Sequence, residues 1–183
     1  MSIRPYKPTD QSAVQYICHA TATAKNYIKN KQLVCALYCD YYIKKEPQNC
    51  FVLTDEFDKA VGYILCSSND KKYQRDFEQY LDVVKKMSPI EAFGHTLEQR
   101  FTKKIRGEYP AHLHIDILPS FQGKGGGRQL INTLLTHLKA QGVAGIHLSV
   151  SLSNHGAIAF YERLGFKLAK TLSNISAIYV LKL

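Results

Sequence analysis

The chain has no apolar run near the roughly 18 residues that a membrane-spanning helix needs. Its opening, Met1-Ser2-Ile3-Arg4-Pro5-Tyr6-Lys7, has no apolar stretch behind its charges to act as a secretory signal. It also lacks any C-x-x-C pair. Five cysteines, Cys18, Cys35, Cys39, Cys50 and Cys66, make an odd count, which excludes a disulfide framework and a zinc ribbon. Cys35 and Cys39 are four apart in a helical stretch, but free cysteine is a core residue type, so reduced, packed thiols are expected and no metal site. The expectation is a cytoplasmic protein. Repeats and low-complexity tracts are absent too. With 45% hydrophobic and 21% charged residues, the composition excludes a disordered tail or a collagen. A length of 183 residues suits one domain, 1–183, with a helical insertion over about 69–109 and a core over about 111–166.

Acidic residues are scarce in the last part of the chain. Residues 111–183 hold seven Lys/Arg against two Asp/Glu, with none between Asp116 and Glu162, and the net charge is +9. Such a surface suits nucleic acid, an anionic membrane face or a small polyphosphate, and charge does not choose among them. Local motifs must decide.

Ile3 to Tyr6 reads as a strand, ended by Pro8-Thr9-Asp10, where Thr9 or Asp10 caps a helix carrying Val14, Ile17 and Cys18. A helix is expected over 31–44, since Leu33, Leu37, Tyr38, Tyr41 and Tyr42 recur at helical spacing before Pro47. Cys50 to Thr54 and Val61 to Cys66 read as a hairpin of strands. The charged stretch 69–109 interleaves Tyr73, Phe77, Tyr80, Phe93 and Phe101 and predicts amphipathic helices broken near Ser88-Pro89. Long connections of this kind are places to look for substrate contacts.

Strict alternation in Ala111-His112-Leu113-His114-Ile115-Asp116-Ile117-Leu118 predicts a strand. His112, His114 and Asp116 share one face, and Leu113, Ile115 and Ile117 the other. Pro119-Ser120-Phe121-Gln122-Gly123-Lys124-Gly125-Gly126-Gly127 then leads into a helix marked by Leu130, Ile131, Leu134, Leu135 and Leu138. A strand over 145–152 follows. Ser153 or Asn154 caps a helix closed by Gly165, and two strands near 166–170 and 176–181 finish the chain.

Four glycines in five residues before a helix leave backbone N–H groups unpaired and open to an anion. Helices favour acids in their first turn, yet Lys124 and Arg128 bracket this start, an arrangement suited to a bound phosphate. A Walker A loop is excluded because Gly125, not Ser or Thr, follows Lys124. A dinucleotide fingerprint is excluded because Arg128 stands where the third glycine belongs and no acid follows at the right distance. A flexible connection explains the glycines but not the paired cations.

The spacing Gln122-x-x-Gly125-x-Gly127 after Ile117-x-Pro119 resembles the coenzyme-A pyrophosphate loop of the GNAT superfamily of N-acetyltransferases. Asn154-x-x-Ala157-x-x-Phe160-Tyr161-x-x-x-Gly165-Phe166 resembles the second signature of that family. The order of elements is similar over nearly the whole chain. Within the superfamily, the run from His112 to Pro119 and the charged insertion before it look most like the acetyltransferase-like domain of O-GlcNAcase proteins and its free-standing bacterial relatives.

The resemblance implies an α/β (α+β) fold, a mixed, mostly antiparallel sheet flanked by helices. It implies acetyl-coenzyme A as cosubstrate, in a gap where the strand through Ile117 splays from the strand through Val150. Ile117 and Leu118 would run beside the pantetheine arm. Gly123, Lys124, Gly125, Gly126, Gly127 and Arg128 would hold the pyrophosphate, with Gln122 bordering it and Asn154 near the pantetheine. Tyr161 stands where the family has a tyrosine that protonates the leaving sulfur. Asp116 and His114 are candidates for the base that takes a proton from the amine.

The leading reading is therefore an N-acetyltransferase acting on a primary amine of a small molecule or a protein. A coenzyme-A-binding module without catalysis is the alternative. No base-reading motif supports a nucleic-acid partner, and no membrane partner is expected. Monomer and homodimer both stay open.

Overall fold

The computed structural model describes residues 1–22, 30–173 and 175–183 of the chain. Among the described residues, seven strands form one sheet: β1 (Ser2–Pro5), β2 (Phe51–Thr54), β3 (Ala60–Ser67), β4 (Ala111–Ile117), β5 (Gly145–Ser151), β6 (Lys167–Leu172) and β7 (Ser176–Lys182). Their order is β1-β2-β3-β4-β5-β7-β6. Every neighbouring pair is antiparallel except β4–β5, which is parallel.

Because β3 is buried on both faces, it reads as a continuous apolar run with little alternation. Tyr63 and Leu65 enter the core beneath α1 (Gln11–Thr21), α2 (Lys31–Tyr38), α3 (Asp40–Lys45) and α4 (Asp70–Met87). Ile64 and Cys66 enter the opposite core, with Leu113 of β4 and the leucines of α6 (Gly126–Ala140). The last two helices are α5 (Pro89–Glu108) and α7 (His155–Arg163). Helix α5 packs on α4 and reaches β5 and β6.

The charged stretch forms the paired helices α4 and α5. Ser88 separates them, its hydroxyl accepting from the Glu91 N–H, and Pro89 takes the first helical position, where its missing N–H costs nothing. Arg106 of α5 bonds Asp70 at the start of α4, so the two helices are tied at their open end.

Two local expectations are corrected. The helix over 31–44 is two helices, broken at Cys39 with φ −134° and ψ −58°. Both pieces are deeply packed: Leu33 to Leu37 of the first and Tyr41, Tyr42 and Ile43 of the second are all buried. Asp10 does stand at the N-cap position of α1, but its side chain makes no cap bond there. The Asp10 carboxylate closes a 3-10 turn by accepting from the Lys7 N–H at 2.8 Å and pairs with Arg4 at 2.7 Å.

Candidate active site

Strands β4 and β5 pair only through Ala111–Ile146 and His112–His147. Beyond His112 they diverge, because β4 follows β3 as far as Gly62–Ile117 while β5 follows β7 to Ser151–Ser176. A parallel pair that stops early leaves backbone groups without a ladder partner. The Leu118 N–H donates to the Val61 carbonyl at 2.9 Å, so Leu118 and Val61 form a hydrogen-bonded pair. By the alternation of an antiparallel ladder, the backbone groups of Ile117 and Ile115 then turn away from β3 toward the gap. Gly62 permits this close approach, since a Cβ there would lie 2.8 Å from Ile117 Cγ1 and 3.1 Å from the Asp116 carbonyl.

The gap opens into a cavity of about 640 Å³, bordered by Ile115, Asp116, Ile117, the glycine-rich turn, Asn154, Phe160 and Tyr161. The turn is built for anions. Gly123 and Gly125 adopt φ +74° and +82°, left-handed values that glycine alone takes without strain. Gly125 is the cap of α6 and offers no side chain to the helix start. Among the described residues, no backbone or side-chain acceptor takes the N–H groups of Gly123 through Arg128. Several peptide donors and the positive end of a 15-residue helix therefore face the cavity mouth. Arg128 and Arg163 add charge to that rim, and the first turn of α6 holds no acid.

Of the residues singled out in the sequence, Ile117, Gln122, Gly123, Gly125, Gly127, Arg128, Asn154, Tyr161 and Asp116 come together around this cavity. Leu118, Lys124, Gly126 and His114 do not border it. Lys124 Nζ bonds the Ser120 carbonyl at 2.9 Å and lies over the Phe121 ring, which ties the turn to itself. Gly126 serves packing, because a Cβ there would meet Leu53 Cδ2 at 2.6 Å. Gln122 Nε2 donates to the Ile117 carbonyl at 2.7 Å, pinning the turn to the end of β4. Asn154 Oδ1 accepts from the Ala157 N–H at 3.1 Å, so its side chain caps α7.

Tyr161 is 8% exposed and packs against Phe160 and Phe166, with ring centroids 5.3 and 5.6 Å away. Its hydroxyl has no hydrogen-bond partner among the described residues. Burial, helped by the nearby Asp116 charge, pushes the phenol well above its ordinary pKa, so it stays protonated.

Asp116 is half-buried at the edge of the cavity. Burial raises its carboxyl to about 6, against the pull of hydrogen bonding from Tyr63 and Thr21, which favours the ionised form. The Tyr63 hydroxyl donates to Oδ2 at 2.5 Å. Tyr63 was not singled out from the sequence. It looks there like one more apolar position of β3, and only the β3–β4 register, Tyr63 opposite Asp116, gives it this role.

His114 lies between Tyr38 and Tyr42, with ring centroids 5.4 and 5.2 Å away, and burial lowers it to about 4. His112 is held through Nε2 by the Tyr42 hydroxyl at 2.9 Å, while its buried Nδ1 has no partner among the described residues. Both rings are neutral at neutral pH and face the helices over β4.

Residues 17–166 match the acetyltransferase (GNAT) family. The solved structure "SsHAT" is similar at 33% identity over 99% of this chain and 97% of that one, with a TM-score of 0.87. The uncharacterized N-acetyltransferase MJ1207 of Methanocaldococcus jannaschii is 43% identical over 143 residues, 78% of this chain and 49% of that protein. The ribosomal protein bS18-alanine N-acetyltransferase of Salmonella typhimurium is 45% identical over 53 residues, 29% of this chain and 36% of that enzyme. The chain thus spans about half the length of the first of these curated relatives and about a third of the second.

Proposed function

The chain belongs to the GNAT acetyltransferase family, and from that premise we propose that it transfers acetyl from acetyl-coenzyme A to a primary amine. One observation carries the proposal: a run of unpaired peptide N–H groups opens onto the same gap that holds the free hydroxyl of a buried tyrosine. The glycine turn suits a diphosphate, since anions bind where N–H groups and a helix start converge. The backbone of Ile115 and Ile117 suits the amides of a pantetheine arm, laid along β4 as an added strand.

An alkylamine has a pKa of about 10.4 and arrives mostly as ammonium. With a pKa near 6, Asp116 is ionised at neutral pH and accepts the proton, directly or through water. The neutral amine attacks the thioester carbonyl, and peptide N–H groups at the end of β4 stabilise the developing oxyanion. The departing thiolate takes a proton from Tyr161, which its surroundings keep protonated. The two groups are driven apart in acidity by their environments, as an acid and a base at one site must be.

The narrower likeness to the acetyltransferase-like domain of O-GlcNAcase proteins is part of this proposal. It is supported by the His112–Pro119 run and by the paired helices α4 and α5 before it. A cytoplasmic setting and a single functional unit over 1–183 belong to it as well. No helix among the described residues is long and apolar enough to cross a membrane.

The test is release of free thiol from acetyl-coenzyme A over a panel of amines, alongside the melting temperature with coenzyme A. Both responses are expected. Stabilisation without thiol release reduces the protein to a coenzyme-binding module, and no stabilisation at millimolar coenzyme ends the proposal.

A further inference from the structure

Helices α4 and α5 differ on the sides they turn outward. Every exposed residue of α4 is polar, as a solvated helix face should be. Helix α5 instead leaves Ile90, Phe93, Leu97 and Phe101 exposed, at 82, 68, 38 and 52%. Steps of three and four residues put them on one face. The fold does not use that face, since Ala92, Thr102 and Arg106 are the buried positions of α5. Single exposed apolar residues are ordinary, but a stripe along one helix marks an interaction surface.

The two ends of the stripe differ in shape and charge. Beside Ile90 lies a hollow of about 520 Å³, bounded among the described residues by Asn30, Leu33, Met87, Ser88, Ile90 and Glu91. The Glu91 N–H is held by Ser88, while its carboxylate has no hydrogen-bond or ion-pair partner among the described residues. At the other end Phe101 protrudes with Lys170 of β6 over its ring, Nζ 5.6 Å from the centroid and 3.1 Å from the Phe101 carbonyl. Protrusion and hollow are eleven residues apart, about 16 Å along the helix. Between them stands Gly94, where a Cβ would meet nothing within 4 Å. Packing within the chain does not call for this glycine, which weakens a helix.

We propose that the stripe is the two-fold interface of a homodimer in which α5 packs antiparallel against the partner's α5. A two-fold centred between His95 and Thr96 sets Ile90 opposite the partner's Phe101 and Gly94 opposite the partner's Leu97, and repeats both contacts with the roles exchanged. Phe101 fills the hollow beside Ile90, and Lys170, which rides on Phe101, comes to Glu91 at its rim. Opposite charges therefore meet twice, once at each end. Leu97 lies over Gly94, where the missing side chain lets the backbones approach. A second copy suits the stripe because hollow and protrusion, anion and cation, lie on one chain at equal distances from one point. An unrelated partner needs no such symmetry. One helix face is small by the standard of stable dimers, so association is in the micromolar range. None of this rests on the acetyltransferase reading.

The test is sedimentation equilibrium of the whole chain from about 1 to about 200 µM. A dimer half-formed at about 10 µM is expected. Leu97→Arg, which buries a charge at the centre of the pair, weakens association at least about 100-fold, and Leu97→Gln about tenfold. Glu91→Lys and Lys170→Glu each weaken it about fivefold, and the two together restore it to within about twofold of the parent. Circular dichroism of each variant matches the parent's, since none of these three side chains is buried. A chain that stays monomeric at about 200 µM overturns the proposal. So does a dimer that Leu97→Arg leaves intact, because another surface then holds it. A charge swap that stays as weak as its single variants also overturns it, because the helices are then not antiparallel.

Discussion

The Tyr63 hydroxyl and the Asp116 carboxylate, 2.5 Å apart, join β3 to β4 where β4 parts from β5. One side chain comes from a fully buried strand, the other from the edge of an open cavity. Their bond offsets part of the cost of ionising a half-buried carboxylate, and it fixes the carboxylate beside the gap.

Removing the bond moves the acid limb of turnover. Tyr63→Phe deletes a donor that favours the charged carboxylate, so the Asp116 pKa rises from about 6 and turnover is lost at higher pH than in the parent. A pH profile of turnover measures the shift. An acid limb that stays in place removes Asp116 from the role of base.

Asp116→Asn exchanges activity for stability. The folded protein holds this proton more tightly than the unfolded chain, whose Asp titrates near 3.9. Folding stability from this group therefore falls as pH rises from about 4 to about 6, and the loss is complete above that. The variant is expected to melt above the parent at about pH 8, where the parent carries the full penalty, and to turn over about 100-fold more slowly. A lower melting temperature at that pH contradicts the assignment.

The buried histidines act in the opposite sense. His95, His112, His114 and His147 have pKa values lowered by burial, so the unfolded chain binds more protons than the folded one below about 6.5. Their contribution is complete above that pH and lost as pH falls toward about 4, the value of His114 and His95. Four groups outweigh the single Asp116. The melting temperature should fall steadily on acidification through this window, less steeply in His114→Phe.

Tyr161→Phe keeps the buried ring and deletes the unpartnered hydroxyl. Turnover is expected to fall about 100-fold, with stabilisation by coenzyme A unchanged. Equal turnover in thiol-release assays removes Tyr161 from the chemistry.

Arg128→Glu separates the two demands on the start of α6. An acid in the first turn suits a helix by about 0.5 kcal/mol, so the free protein should melt slightly higher. It also opposes a phosphate there, so stabilisation by coenzyme A should be lost. Unaltered coenzyme binding contradicts a diphosphate at this turn.

Much of this site is legible along the chain because its parts are local. The glycines from Gly123 to Gly127, the missing acid after them and the cap at Asn154 are consequences of neighbouring residues. The alternation of β4 correctly puts His114 and Asp116 on one face. Alternation does not reveal that Tyr38 and Tyr42 enclose His114 while Asp116 reaches the cavity edge. Lys124 was equally opaque, since its turn back to Ser120 depends on the shape of the loop it sits in.

The sequence by itself determined the periodicities, the glycine turn and the break at Ser88-Pro89, each set by steric and hydrogen-bonding preferences within a few residues. Tertiary structure alone decided that β4 and β5 part after two residue pairs, that Tyr63 meets Asp116, and that His114 is enclosed by Tyr38 and Tyr42. Those are relations between strands and helices far apart in the chain. They follow from sheet register and core packing, which no local pattern encodes.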